Sequence, residues 1–113
     1  MDTAQGEPMT IVVGSTHRVS GLLLAPAPAR ACYVLAHGAG AGMTHPFMAG
    51  VATGLAGRGV ATLRYQFPYM EVGARRPDPP PLAQATVRAA VAAAAHRLPD
   101  LPLIAAANRS AGA

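Results

Sequence analysis

The sequence predicts an α/β domain: a mostly parallel sheet, opened by an antiparallel hairpin and covered by helices. Three observations carry this expectation. Short apolar runs of strand length recur along the chain, two segments between them repeat their apolar residues every three to four positions, and a glycine-rich turn closes the third run. With 113 residues the chain has room for one core and not for two. Residues 1–9 read as a tail and residues 10–113 as the domain.

TIVVG at 10–14 and VSGLLLA at 19–25 are separated by Ser15, Thr16, His17 and Arg18, the pattern of a hairpin. The stretch APAPAR at 25–30 then interrupts the sheet pattern, because proline cannot donate to a ladder. ACYVLAH at 31–37 is almost continuously apolar, as expected of a strand covered on both faces, and runs into Gly38-Ala39-Gly40-Ala41-Gly42. Between Pro46 and Arg58 the residues Phe47, Val51 and Leu55 recur every four positions. Pro46 suits a first helical turn, and Gly57 or Gly59 suits a left-handed stop. From Val60 to Phe67 the pattern alternates, with Leu63, Tyr65 and Phe67 on one side and Thr62, Arg64 and Gln66 on the other. A polar, proline-rich loop is expected from Pro68 to Pro81. A second helix from Pro81 to Arg97 offers Val87, Val91, Ala94 and Leu98 as its stripe, and its alanine-rich centre favours helix while burying little area per residue. LPLIAAA at 101–107 reads as one more buried strand. This order implies right-handed crossovers into a parallel sheet.

Composition removes several function classes. All nine basic residues are arginine, so the phosphate loop that needs a lysine is absent. The net charge of +4 is scattered, with only Arg75 and Arg76 adjacent, and aromatic residues make up 4% of the chain, so no nucleic-acid footprint is expected. Cys32 is alone in an apolar run, which reads as an inert buried thiol and fits a reducing cytoplasm. The opening MDTAQGEP carries two acids and no arginine, the wrong charge for a secretory signal. The apolar tracts Leu22 to Ala29 and Ala89 to Ala95 are too short to span a membrane. No Cys, His and carboxylate set has metal-ligand spacing, so neither metal nor cofactor is expected.

Two segments could carry chemistry. The first is His37 with the glycine-rich turn, at the carboxyl end of a strand, where open α/β sheets bind ligands. Glycines there can turn backbone N–H groups toward a developing negative charge, as in an oxyanion loop. A tight turn with no chemistry is the plainer reading. A dinucleotide fingerprint is a third: Gly38 and Gly40 have its opening spacing, but Met43 stands where the third glycine belongs, and the next strand ends in Arg64 and Gln66 rather than an acid. The second segment is Asn108-Arg109-Ser110-Ala111-Gly112 after the last strand. A nucleophile elbow needs small neighbours around its serine; Gly112 and Ala111 fit, and Asn108 tolerates the left-handed geometry usually met by glycine. The alternative is a polar residue with no such role. His37 is expected to order the turn, His45 to cap the helix before Pro46, and His17 and His96 to sit on the surface. Arg64, Glu71, Arg75, Arg76 and Asp78 are expected to form an ion-pair cluster rather than to line a pocket for an acidic substrate.

LAHGAGAGMTHPFM at 35–48, ATLRYQFPYME at 61–71, RRPDPPP at 75–81 and the serine string at 108–112 together resemble the small α/β-hydrolases related to dienelactone hydrolases. The resemblance extends to the branch named for testis-expressed protein 30 and for the third subunit of the non-specific-lethal histone-acetyltransferase complex. It implies a three-layer α/β-hydrolase fold, truncated after the nucleophile strand. It also implies Ser110 as nucleophile, Ala111 as one oxyanion donor, Ala39 or Gly40 as the other, and His37 and Gly38 as support for that loop. The family's elbow usually reads Gly-Gly-Lys/Arg-Ser-x-Gly-Gly; here Ala107, Asn108 and Ala113 stand at three of the glycine positions.

A serine hydrolase of this fold needs Ser, then Asp or Glu, then His, in chain order. Three residues follow Ser110, and none is an acid or a histidine. The chain therefore reads as the amino-terminal half of a hydrolase, taking a small-molecule substrate once completed and not competent by itself. The strand at 101–107 would then be an apolar edge open to self-association or a partner strand. A non-catalytic interaction module is the alternative, and a dinucleotide-binding half-domain the third.

Overall fold

A computed structural model of the chain describes residues 6–36 and 43–107. Five strands form one sheet in the order β1-β2-β4-β3-β5. β1 (Glu7–Val13) and β2 (His17–Leu24) form the expected hairpin. It begins three residues before the expected boundary at 10, and Pro8 is tolerated because β1 is an edge strand. The turn occupies 14–16 rather than 15–18. Gly14, at φ 61°, takes the left-handed conformation that lets the chain reverse early, and His17 and Arg18 join the strand.

β3 (Ala31–Ala36) and β4 (Val60–Tyr65) are parallel, and β4 pairs antiparallel with β2 on its other side. β4 is therefore central, and every residue from Ala61 to Tyr65 is buried. Alternation along β4 holds, but both of its faces are covered. Ala61, Leu63 and Tyr65 join one core with Ala83, Ala90 and Ala94 of α3 (Pro80–Arg97), while Thr62 and Arg64 face the other way, toward the side of α1 (Pro46–Ala56). The crossover through α1 runs from β3 to β4, and the crossover through α3 runs back past β3 to β5 (Leu103–Ala107). Right-handed connections in opposite directions put the two helices on opposite faces.

The inward stripe differs from the expected one in α1 and in part in α3, where Ala94 is buried as expected. In α1 the buried residues are Met48 and Ala52, with Val51 and Leu55 half-buried and Phe47 64% exposed. In α3 they are Ala83, Thr86, Ala90 and Ala94, flanked by half-buried Val87, Val91 and Leu98. Small side chains let a helix backbone approach the sheet closely, so the alanines take the inner face and the valines its borders. Thr86 removes its own polar cost by donating its hydroxyl to Leu82 O at 2.8 Å.

The caps follow the residues more closely. His45 Nδ1 accepts from Phe47 N at 3.1 Å, as expected of a capping side chain, and Pro46 opens the first turn. Gly59, at φ 78°, makes the left-handed stop, and Gly57 stays right-handed. The expected loop at 68–81 holds one further turn of helix, α2 (Pro68–Glu71). β5 starts at Leu103, two residues later than expected. It is not a buried strand among the described residues: Ile104 is 51% exposed and only β3 pairs with it.

Candidate active site

The candidate residues His37, Gly38, Ala39, Gly40, Ser110 and Ala111 lie outside the described residues. The frame that carries them is described. β3 and β5 are adjacent and parallel, in a register that makes Ala36 the partner of Ala107. The strands that precede the glycine-rich and serine segments in sequence therefore end at the same height on the carboxyl edge of the sheet. Neighbouring strands lie about 4.8 Å apart. The two crossovers also change direction at this pair of strands, which is where open α/β sheets form a crevice for ligands.

Beside this edge, β4 contributes a residue whose placement differs from the expected one. Arg64 is 1% exposed and lies within the sheet, not in a surface ion-pair cluster. Its Nη1 donates to Met43 O at 2.9 Å, and burial lowers its pKa from the usual arginine value. Residue type gives no sign of this: a strand with a neighbour on each side and a helix over each face is buried throughout, whatever polar residue alternates there.

The other members of the expected cluster serve the backbone. Glu71 Oε1 accepts from Ser20 N of β2. Asp78 Oδ2 accepts from Tyr69 N at 3.2 Å, in the first turn of α2, where the Phe67 side chain can provide no cap. Glu71 thus fastens the segment after β4 to β2, and Asp78 ties the following loop back to the start of α2. This gives Asp78 in the RRPD stretch a structural task. Arg75 and Arg76 are exposed, and among the described residues the ion pair that forms is Arg97 with Glu7, at 2.8 Å.

Of the remaining candidates, His96 is exposed as expected, while His17 is half-buried with its Nδ1 2.9 Å from Thr16 Oγ1. Cys32 is fully buried, and burial pushes its thiol pKa up, so it is held in the unreactive protonated form. Among the described residues no three His, Cys, Asp or Glu side chains gather where a metal could sit, and no helix is long and apolar enough to cross a membrane.

Residues 29–113, three quarters of the chain, match the family described as an alpha/beta hydrolase domain. The chain belongs to that α/β-hydrolase family. Among solved structures this hydrolase domain is similar to a dienelactone hydrolase from Anabaena variabilis ATCC 29413, with 24% identity and a TM-score of 0.76 over 96% of this chain and 54% of that one. It is also similar to an alpha-beta serine hydrolase homologue from Coxiella burnetii, with 17% identity and a TM-score of 0.71 over 89% and 50% of the two chains. A serine hydrolase without lid from Xanthomonas campestris gives 18% identity and a TM-score of 0.67 over 91% and 50%. At these identities the likeness is one of fold, and the domain spans about half the length of each of the three. No curated protein matches it.

Proposed function

We propose that this domain is the amino-terminal part of a serine hydrolase that cleaves ester or related acyl bonds of a small-molecule substrate, with Ser110 as nucleophile. The observation that supports the reading is the register of Ala36 with Ala107, by which the two strands that precede the candidate segments end side by side on one sheet edge. In this scheme Ser110 Oγ attacks the acyl carbonyl, and the amides of Ala111 and of Ala39 or Gly40 hold the oxygen as it becomes negative. His37 and Gly38 shape the loop that presents the second amide. The motifs at 35–48 and 61–71 further support a place beside testis-expressed protein 30 and the third subunit of the non-specific-lethal complex.

Residues 1–113 offer no acid or histidine after Ser110, so the polypeptide of these residues lacks the base that would activate the serine. Purified, it is expected to hydrolyse p-nitrophenyl acetate no faster than its Ser110→Ala variant; a rate that the substitution abolishes would overturn this part of the proposal. The coding sequence past codon 113 tests the rest. An Asp or Glu followed by a His in frame supports the nucleophile assignment, and in that longer protein Ser110→Ala should lower kcat by about 10⁴-fold or more. A longer frame with neither residue sinks it.

A second reading, a non-catalytic module that pairs through its sheet edge, is favoured by β5. Its sequence LIAAA has no charge and no proline to discourage a further strand, and Ile104 is half-exposed. The 113-residue polypeptide is expected to self-associate in sedimentation velocity at micromolar concentration, and Ile104→Lys to shift it toward monomer. A wild-type chain that sediments as a monomer throughout would remove this reading.

A further inference from the structure

Arg64 is the largest of the fully buried side chains, and it is a cation in the middle of a five-stranded sheet. Burying a charge is expensive unless strong hydrogen bonds hold it, so an arginine here needs a task that an apolar residue could not perform. The described contact identifies one. Nη1 reaches out of β4 to the carbonyl of Met43, which begins the described chain after the glycine-rich segment and stands two residues before the cap of α1. His45 then fixes the helix start twice, through Nδ1 to Phe47 N and through its carbonyl, which accepts from Ala49 N at 3.0 Å. One buried guanidinium is thus tied to the short link between the carboxyl edge of the sheet and the first turn of α1. A planar guanidinium suits this task because its donors are fixed in direction, which the single ammonium of lysine does not reproduce.

We infer that Arg64 is a positioning residue: by holding the Met43 carbonyl it fixes the entry into α1, and so the exit of the glycine-rich segment on which the proposed function depends. The inference rests on that reading for its catalytic meaning and on the Arg64 contact alone for its geometry. It assigns no contact between Arg64 and substrate, since the side chain is inside the sheet.

Amide hydrogen exchange in the 113-residue chain tests the geometry. In Arg64→Lys the amides of Phe47 and Ala49 should exchange about tenfold faster or more, while those of Cys32 and Leu98, bonded to Pro102 O and Ala94 O, keep their protection. In Arg64→Ala, free guanidinium at millimolar concentration should restore protection at Phe47 and Ala49, and an equal concentration of sodium should not. Exchange that rises uniformly through the sheet, or stays unchanged at Phe47 and Ala49 in Arg64→Lys, overturns the inference. So does a failure of guanidinium to restore what Arg64→Ala loses. In an active protein that contains this segment, Arg64→Lys should lower kcat and leave KM in place; an unchanged kcat removes the catalytic meaning. The exchange result can fail while Ser110 remains a nucleophile, and the Ser110 assignment can fail while the tether stands, so the two are read separately.

Discussion

Phe67→Ala is expected to destabilise the domain by about 3–5 kcal/mol, the range for emptying a buried aromatic site. Phe67 lies two residues beyond the end of β4 and is fully buried. Its ring centroid lies 5.6 Å from that of Tyr65, tilted by 59°, and 6.5 Å from that of Tyr69, nearly parallel at 22°. Both pairs are lost with the ring, each worth about 0.5–1.5 kcal/mol beyond the area it buries. The cavity is also poorly placed to collapse. Tyr65 is held in the central strand by β2 and β3, and Tyr69 is held in α2 by the Asp78 carboxylate on its amide. The backbone of Phe67 meanwhile keeps its own role, its carbonyl accepting from Met70 N at 2.9 Å, so α2 should survive the substitution. Urea unfolding should show the midpoint falling with the slope unchanged. A loss under about 1 kcal/mol would mean that the three rings do not act as one packed column. Phe67→Leu, which retains most of the volume, should cost less than half as much.

The same region shows which features of the fold could be read from the sequence. Strands were legible because a two-residue period and apolar runs leave a mark that tertiary context seldom erases, and the element order implied parallel strands; that β3 lies between β4 and β5 came from the structure. The helix stripes were less legible. Hydrophobic size pointed to Phe47, Val51 and Leu55 in α1, yet the sheet accepts Met48 and Ala52 and leaves Phe47 64% exposed. The preference is one of fit: a flexible thioether and a methyl allow close approach, and a ring does not. In α3 the alanines won over the valines for the same reason. α2 was hidden because proline at 68 reads as a loop signal, while in the structure it is the first residue of a helical turn, a position where a missing N–H costs nothing.

At the candidate site the sequence reading went further in one direction and fell short in another. The two segments that could hold a nucleophile and an oxyanion loop were recognisable from glycine, alanine and serine spacing, and the strands that deliver them are adjacent. The supporting residues were not recognisable. Glu71 and Asp78 look like surface charges by type, and nothing local shows that they will accept from Ser20 N and Tyr69 N across gaps of 51 and 9 residues. Arg64 is the extreme case, since an arginine in an alternating strand predicts the solvent face until the strand is known to have a neighbour on each side and a helix on each face.

Alkaline pH should expose the cost of burying Tyr65. Its side chain is 1% exposed, and burial pushes its pKa up to about 12, against an ordinary value near 10. Desolvation penalises the phenolate and leaves the neutral phenol unaffected, so the folded chain holds its proton at pH values where the unfolded chain has released it. Stability from this group is therefore complete below about pH 10 and is lost as pH climbs toward about 12. The loss should be about 1 kcal/mol at pH 11 and about 2 kcal/mol at pH 12, approaching about 3 kcal/mol beyond. Tyr65→Phe retains the ring that packs on Phe67 and has no proton to release, so its stability should fall less over the same range. The difference between the two proteins isolates Tyr65, because the chain's other two tyrosines are common to both. Urea midpoints measured at pH 9, 11 and 12 for both proteins decide the matter. Parallel pH profiles would mean that the folded domain accommodates the Tyr65 phenolate, and that the core around Tyr65 is wetter than its burial implies.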